Sequence, residues 1–368
     1  MDDIQGPSED NPPMRISEKG AALENSIKAL IVDDSKLIRQ VIRDIFDESD
    51  QVQVVGEAGN GAEALEMLPC LDPDVVTLDI NMPVMDGLTA LKHIMIKYPK
   101  PTVMLSTYTR EGERVTFEAL KYGAVDFIAK PSQFQKMALA EQRQRIIQKV
   151  TMAAKVELEA VQYLRPVSKK IGTKRIGTRN CNFLFAMGAS IGGYSALLKI
   201  IPQLRSDLPA AFLVVLYVAS DHLDAFVHYL DEESTVKVKR AGDGDLIKSG
   251  VCYMASGDEY VTVHPSNGQL SLKVNPSPFP SHQGAINMLM FSLSDVMKHR
   301  SIGVILSGSG EDGVEGISEI LRMGGIGIVQ DPPSCLCQET PQSTLRQCKV
   351  DLVFSDWRIP SEVNTLLI

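Results

Sequence analysis

Paired cysteines and long apolar runs are both missing from this chain of 368 residues. Its six cysteines, Cys70, Cys181, Cys252, Cys335, Cys337 and Cys348, form no Cys-x-x-Cys pair. That scatter excludes the usual zinc spacing and a disulfide scaffold, and points to reduced thiols and a cytoplasmic location. No apolar run approaches the roughly 20 residues a membrane-spanning helix needs, so direct membrane insertion is not expected. The opening MDDIQGPSED is acidic and lacks the basic start of a secretory signal. Positive charge is also in short supply. Lysine and arginine number 37 against 46 acids, a net charge of −9. Nucleic acid is thereby disfavoured as a partner, because phosphate binding needs a basic footprint. The glycine-rich nucleotide motifs are absent too, since Ser190 stands where G-x-G-x-x-G requires its second glycine.

What is present suffices for two cores: 44% of the residues are hydrophobic, and the length suits two domains. Residues 1–25 are polar, acidic and punctuated by Pro and Gly, and read as a disordered tail. Residues 26–132 alternate short apolar runs with helical patterns. The runs are Ala29–Val32, Val52–Gly56, Asp74–Ile80, Thr102–Thr107 and Asp126–Ala129. After the first, Ser35 is a plausible N-cap and Leu37/Ile38, Val41/Ile42 and Ile45/Phe46 repeat at helical spacing. Five such units predict an α/β fold with a doubly wound parallel sheet.

In such a sheet, ligands bind beyond the carboxyl ends of the strands. Asp33, Asp34 and Asp79 fall there. Three convergent carboxylates repel one another unless a cation is bound, and oxygen-only ligands suit Mg²⁺. A carboxylate beside that ion can attack a phosphoryl donor. Lys130 adds a fixed positive charge and Ser106 a hydroxyl, completing an expected phosphate-accepting site. The segments VDDS and LDINMPVMDGL, the position of Ser106 and the F-x-x-K-P ending at Pro131 resemble a response-regulator receiver domain. The resemblance implies Asp79 as phosphoacceptor. It implies Asp34, Asp79 and the carbonyl of Asn81 as Mg²⁺ ligands with Asp33 assisting, Ser106 and Phe127 as the switch pair, and a histidine kinase as phosphodonor.

Residues 133–180 read as a linker. A helix is predicted from Gln135 to Tyr163, stopped at Arg165-Pro166 and followed by the basic stretch Lys169, Lys170, Lys174, Arg175 and Arg179. Residues 181–368 begin a second α/β domain, with apolar strands at Phe183–Met187, Phe212–Val218, Gly303–Leu306 and Gly325–Val329, and a helical pattern from Gln283 to Met297. The first strand runs into Gly188-Ala189-Ser190-Ile191-Gly192-Gly193, a G-x-S-x-G turn that exposes a serine hydroxyl at a helix start. There the helix N–H groups can bind an oxyanion. Asp312 lies in a second Gly-rich turn, Ser307–Gly313, after another strand. Ser190 and Asp312 could be two members of a triad. An α/β-hydrolase would place its histidine after the aspartate, yet the last histidine here is His299. The base must then come from His222, His228, His264, His282 or His299.

GASIGG, AGDGDLIKSGVCYMASGD and GVILSGSGEDGVEG resemble the catalytic domain of the chemotaxis protein-glutamate methylesterases, the CheB family. A receiver, a linker and this domain are that family's architecture. The resemblance implies Ser190 as nucleophile and Asp312 as the triad acid, in a domain that hydrolyses glutamyl methyl esters on methylated chemoreceptor cytoplasmic domains, with glutamine deamidation as a related activity. It also implies that the unphosphorylated receiver covers the Ser190 site and that phosphorylation relieves the block. At the family's histidine position the chain carries Tyr217, a phenol whose ordinary pKa near 10 makes it a poor base at pH 7. His282 retains a histidine the family has near the site and is the alternative base. The competing expectation is an impaired esterase that serves as a phosphorylation-switched binding module.

Overall fold

The computed structural model describes residues 26–106, 110–130, 139–156, 158, 181–218, 220–277 and 284–367. The expected tail at 1–25, the basic stretch Lys169 to Arg179 and His282 lie outside the described residues.

The first unit is built from β1 (Ile27–Val32), α1 (Lys36–Asp47), β2 (Val52–Ala58), α2 (Gly61–Leu71), β3 (Val75–Asp79), α3 (Gly87–Lys97), β4 (Thr102–Ser106), α4 (Arg110–Lys121) and β5 (Asp126–Ala129). Its five strands run parallel in the order β2-β1-β3-β4-β5. Helices cover both faces, so Ala29 to Val32 are buried without alternation, as parallel strands require. The helices start where side chains can cap them. Ser35 Oγ accepts from Ile38 N, Asn60 from Ala62 N and Glu63 N, and Asp86 from Thr89 N. A glycine at 87 lets α3 approach β3 closely, because a Cβ there would collide with the carbonyl of Asp79. A further helix, α5 (Leu139–Ala153), falls within the predicted linker helix. It packs onto the first unit, with Ile146, Val150 and Ala153 buried in the core that holds Ile31, Ile42 and Phe46.

The second unit follows as β6 (Phe183–Ala189), α6 (Gly193–Ile200), β7 (Ala210–Leu216), α7 (Ser220–Glu233), β8 (Lys237–Arg240), β9 (Val251–Ser256), β10 (Glu259–Ser266), β11 (Gln269–Pro276), α8 (Ala285–Met297), β12 (Ser301–Ile305), α9 (Val314–Arg322), β13 (Ile326–Gln330), α10 (Glu339–Gln347), β14 (Leu352–Phe354) and α11 (Ile359–Leu366). Seven strands form a parallel sheet in the order β14-β13-β12-β6-β7-β9-β8, while β10 and β11 make an antiparallel hairpin beside it. From β6 the chain winds to one side through β7 to the edge strand β8, and then inserts β9 between those two. It then returns to β12 and winds to the other side. The winding direction reverses between β6 and β12, the place where an open sheet of this kind forms its ligand crevice. Among the described residues, no helix is long and apolar enough to cross a membrane.

The units meet through aromatic rings. Phe117 on α4 lies 5.2 Å from Phe226 and 5.3 Å from Tyr229 on α7, and Phe127 on β5 lies 5.1 Å from Tyr194 on α6. Around them, Tyr229 donates its hydroxyl to Glu118 at 3.0 Å and Lys121 pairs with Glu233 at 3.4 Å. On another side, Leu336 of the second unit joins the cluster that holds Ile146 and Val150 of α5.

Candidate active site and acidic pocket

Beyond β6 the turn at Ser190 is fixed from below. Ser190 N donates to Ser307 O at 3.1 Å, Ser307 Oγ donates to Ile191 O at 2.8 Å, and Cys337 N donates to Ser307 Oγ at 2.9 Å. Gly192 has φ +76°, and a Cβ there would meet Ser307 Oγ and Leu336. The helix that follows carries no side-chain cap, and its first N–H, on Gly193, donates to Ser190 O at 2.8 Å. Ser190 Oγ itself accepts a hydrogen bond from Ser309 N at 2.8 Å. This approach requires Gly308, because a Cβ there would stand 2.6 Å from Ser190 Oγ.

Asp312 reaches the same small cavity, which is lined by Ser190, Tyr217, Ser309, Asp312 and Thr340 among others. Its carboxylate accepts three hydrogen bonds. Oδ1 accepts from Asn287 N at 3.0 Å, while Oδ2 accepts from Ile286 N at 2.8 Å and from the hydroxyl of Tyr217. Asp312 thereby caps α8, and Asn287 answers by accepting from Gly313 N at 3.0 Å and Gly316 N at 2.7 Å at the start of α9. Tyr217 follows β7 directly. Its N–H donates to Ala189 O at 3.0 Å, and its ring lies on Gly257, where a Cβ would clash. Ala285 N donates to the phenol oxygen at 3.2 Å. Burial, then the charge of Asp312, pushes the Tyr217 phenol far above its ordinary value.

At the carboxyl ends of β1 and β3, the carboxylate oxygens of Asp33, Asp34 and Asp79 lie within 4.8 Å of one another. Asp33 and Asp79 are buried and Asp34 is exposed. Lys130 Nζ sits 2.8 Å from Asp33 Oδ2 and 2.8 Å from Asp79 Oδ2. Three carboxylates this close share a single ammonium, so the all-oxygen donor set suits a further hard cation. Burial raises the Asp79 pKa above the usual carboxylate value, against the opposing pull of Lys130. Burial also pulls Lys130 down, but its two carboxylates outweigh that and hold its ammonium above the usual value. Ser106 is buried on β4 with its hydroxyl accepting from Thr116 at 2.9 Å. Asn81 is exposed in the loop after β3.

The sequence pattern of the CheB methylesterase family matches residues 185–363, and that of the response regulator receiver domain matches residues 29–141. The protein-glutamate methylesterase/protein-glutamine glutaminase of Pyrococcus horikoshii is 38% identical over 343 residues, covering 92% of this chain and 92% of that protein. The chain belongs to the CheB methylesterase family. A second relative, protein-glutamate methylesterase/protein-glutamine glutaminase 2 of Methanosarcina mazei, is 36% identical over 362 residues, covering 93% of this chain and 96% of its own length. Among solved structures, the CheB methylesterase catalytic domain of Thermotoga maritima matches at 29% identity with a TM-score of 0.48, covering 50% of this chain and 98% of its own.

Within this CheB-family chain the structure brings Ser190, Tyr217 and Asp312 to one cavity. The described histidines do not join them. His228, His264 and His299 are exposed, and His222 lies 5.1 Å from the ring of Phe127 at the interface of the two units. The N–H of Ser309 on Ser190 and the capping of α8 by Asp312 had no signature in the sequence, because both run through backbone groups. The Gly308-Ser309-Gly310 turn was their nearest trace.

Proposed function

We propose that the chain is a phosphorylation-controlled protein-glutamate methylesterase that acts in the cytoplasm on glutamyl methyl esters of chemoreceptors, and that a histidine kinase phosphorylates it. The convergence of Ser190 and Asp312 at the switch point of the second sheet, in a chain that also carries a receiver unit, is the observation behind this reading. Ser190 Oγ is the nucleophile, and backbone N–H groups around the Ser190 turn, where no side chain caps α6, hold the oxyanion of the tetrahedral intermediate.

In the receiver, Asp79 accepts the phosphoryl group. Asp33, Asp34, Asp79 and the carbonyl of Asn81 would hold a magnesium ion, which offsets charge on the phosphoryl oxygens. Lys130 Nζ, already between Asp33 and Asp79, is placed to meet an oxygen of the phosphorylated Asp79. That capture draws Lys130 away from its present partners. Phe127, three residues earlier, packs on Tyr194 only four residues after Ser190. Phosphorylation thus acts on the packing between the units that keeps receptor side chains from Ser190.

The test is methanol release from methylated receptors, with and without a small-molecule phosphodonor. Ser190→Ala should abolish release, and Asp79→Asn should remove its stimulation. Wild-type release no greater than that of Ser190→Ala would overturn the esterase reading and leave a phosphorylation-switched binding module in its place.

A further inference from the structure

The cavity at Ser190 holds a second hydroxyl. Thr340, the second residue of α10, lines it beside Ser190 and Ser309 and is buried. Its backbone is fixed on both sides: Thr340 N donates to Gly308 O at 2.9 Å, and Thr340 O accepts from Thr344 Oγ1 at 2.8 Å. Its hydroxyl, in contrast, has no hydrogen-bond partner among the described residues. An unpaired hydroxyl in a buried place is a cost to the fold, and this one faces the nucleophile. The point where a Cβ on Gly308 would stand is 2.6 Å from Ser190 Oγ and 3.2 Å from Thr340 Oγ1. Glycine at 308 therefore puts no side chain between the two oxygens. The backbone donors around this point are largely spent. Ser190 N donates to Ser307 O at 3.1 Å, Gly193 N to Ser190 O at 2.8 Å and Gly308 N to Cys337 O at 3.0 Å, while Ser309 N is on Ser190 Oγ itself. The N–H groups of Ile191 and Gly192 have no acceptor among the described residues. The sheet also places Thr340 away from the acid. Tyr217, which donates to Asp312, follows β7 on one side of β6, and Thr340 follows β13 on the other side, beyond β12.

We infer that Thr340 is a catalytic residue whose hydroxyl donates a hydrogen bond to the reacting carbonyl oxygen, a role that rests on the methylesterase reading. In a triad, the acid stands behind the group that takes the serine proton, and the oxyanion donors meet the carbonyl oxygen from another direction. Thr340 occupies that second direction. As the bond from Ser190 Oγ to the ester carbon forms, the carbonyl electron pair moves to oxygen and the serine proton passes to the general base of the site. Thr340 keeps its own proton and shares it with the new oxyanion, alongside backbone N–H groups of the turn. The pair then returns as methoxide leaves, taking the proton from the base to become methanol. Water repeats the sequence on the acyl-serine, and the carboxylate departs. The oxyanion forms in both halves, so the hydroxyl serves twice in each turnover. Thr340 plays this part whichever group takes the Ser190 proton. A neutral hydroxyl aimed at the oxyanion helps most when the charge has developed, which raises kcat without tightening substrate binding.

The experiment measures methanol release from methylated receptors, with phosphodonor present, for wild type, Ser190→Ala, Thr340→Val and Thr340→Ser. Thr340→Val keeps the shape and removes the donor. It should lower kcat about 100-fold with KM within about twofold of wild type. Thr340→Ser keeps the donor and should hold kcat within about fivefold of wild type. The Thr340→Val loss should be the same factor at about pH 6.5 and pH 8.5, because a threonine hydroxyl does not titrate in that range. Melting temperatures show whether each variant is folded, and Thr340→Ala repeats the test if Thr340→Val unfolds. A folded Thr340→Val with kcat within about threefold of wild type would overturn the inference. So would a raised KM with unchanged kcat, equal losses in Thr340→Val and Thr340→Ser, or a loss that varies with pH. In each of those cases Ser190-dependent release from wild type persists and the esterase reading stands. Wild-type release no greater than that of Ser190→Ala would overturn that reading, and the role of Thr340 with it.

Discussion

Asp79 is buried at the end of β3 and held between two influences of opposite sign. Desolvation disfavours its charge, while Lys130 at 2.8 Å favours it, and desolvation is the larger. The folded pKa is therefore above the unfolded one. For such a group, the ionised form is better accommodated by the unfolded chain, so ionisation at neutral pH weakens the fold. Asp79→Asn, which keeps the shape without the charge, should melt a few degrees higher than wild type at pH 7. The gap should close as the pH falls below about 4, where the carboxyl is protonated in both states. Thermal unfolding at pH 7 and pH 3.5 checks this, and a lower melting temperature for Asp79→Asn at pH 7 would show that the attraction of Lys130 outweighs burial. Lys130 retains Asp33 as a partner in the variant. The acids of this pocket were legible because they end successive strands. The balance between burial and Lys130 was not, since it depends on how deeply the strand ends sit.

At the scale of elements, α8 and α9 are tied to each other by exchanged caps. Asp312, two residues before α9, accepts the first N–H groups of α8, and Asn287 in α8 accepts Gly313 N and Gly316 N. Neither helix supplies a cap from its own N-cap residue, Gly284 or Gly313. Asn287→Ala leaves two N–H donors of the α9 start without an acceptor. The loss should cost about 1–3 kcal/mol of stability, read as a lower denaturant midpoint with unchanged slope. Methanol release should fall in the same variant, because the turn carrying Asp312 and Ser309 loses its anchor. Strands buried on both faces, such as β1, β6 and β7, were visible as apolar runs. By contrast, β8 (Lys-Val-Lys-Arg) is polar and β14 (Leu-Val-Phe) is only three residues long, and both lie at the sheet edges. The β10–β11 hairpin alternates about an exposed face and was missed with them. The turns at Ser190 and Asp312 were legible from their glycines, but the exchanged caps depend on a tertiary approach that no local pattern encodes.

Across the whole molecule, the two units share a buried aromatic cluster whose centre is imperfect. Tyr194 is fully enclosed by Phe117, Phe127 and Phe226, and its hydroxyl has no hydrogen-bond partner among the described residues. An orphaned hydroxyl in such a place costs about 1–3 kcal/mol relative to a hydrated one. Water can satisfy it only when the units part, so Tyr194 weakens the closed arrangement selectively. Burial raises its pKa well above the ordinary phenol value, so it stays neutral and the penalty does not vary near pH 7. Tyr194→Phe keeps the ring contacts and removes the penalty, which shifts the balance toward the docked form. On the proposed gating of Ser190 by docking, the variant should show methanol release without phosphodonor reduced about fivefold or more, and should need more phosphodonor to reach half of full stimulation. Its melting temperature should rise at the same time, because an unsatisfied polar group has been removed from the core. A variant with unchanged basal release and unchanged melting temperature would mean that the hydroxyl finds a partner in solution. Faster basal release would mean that the Phe127–Tyr194 contact opens the Ser190 site instead of closing it.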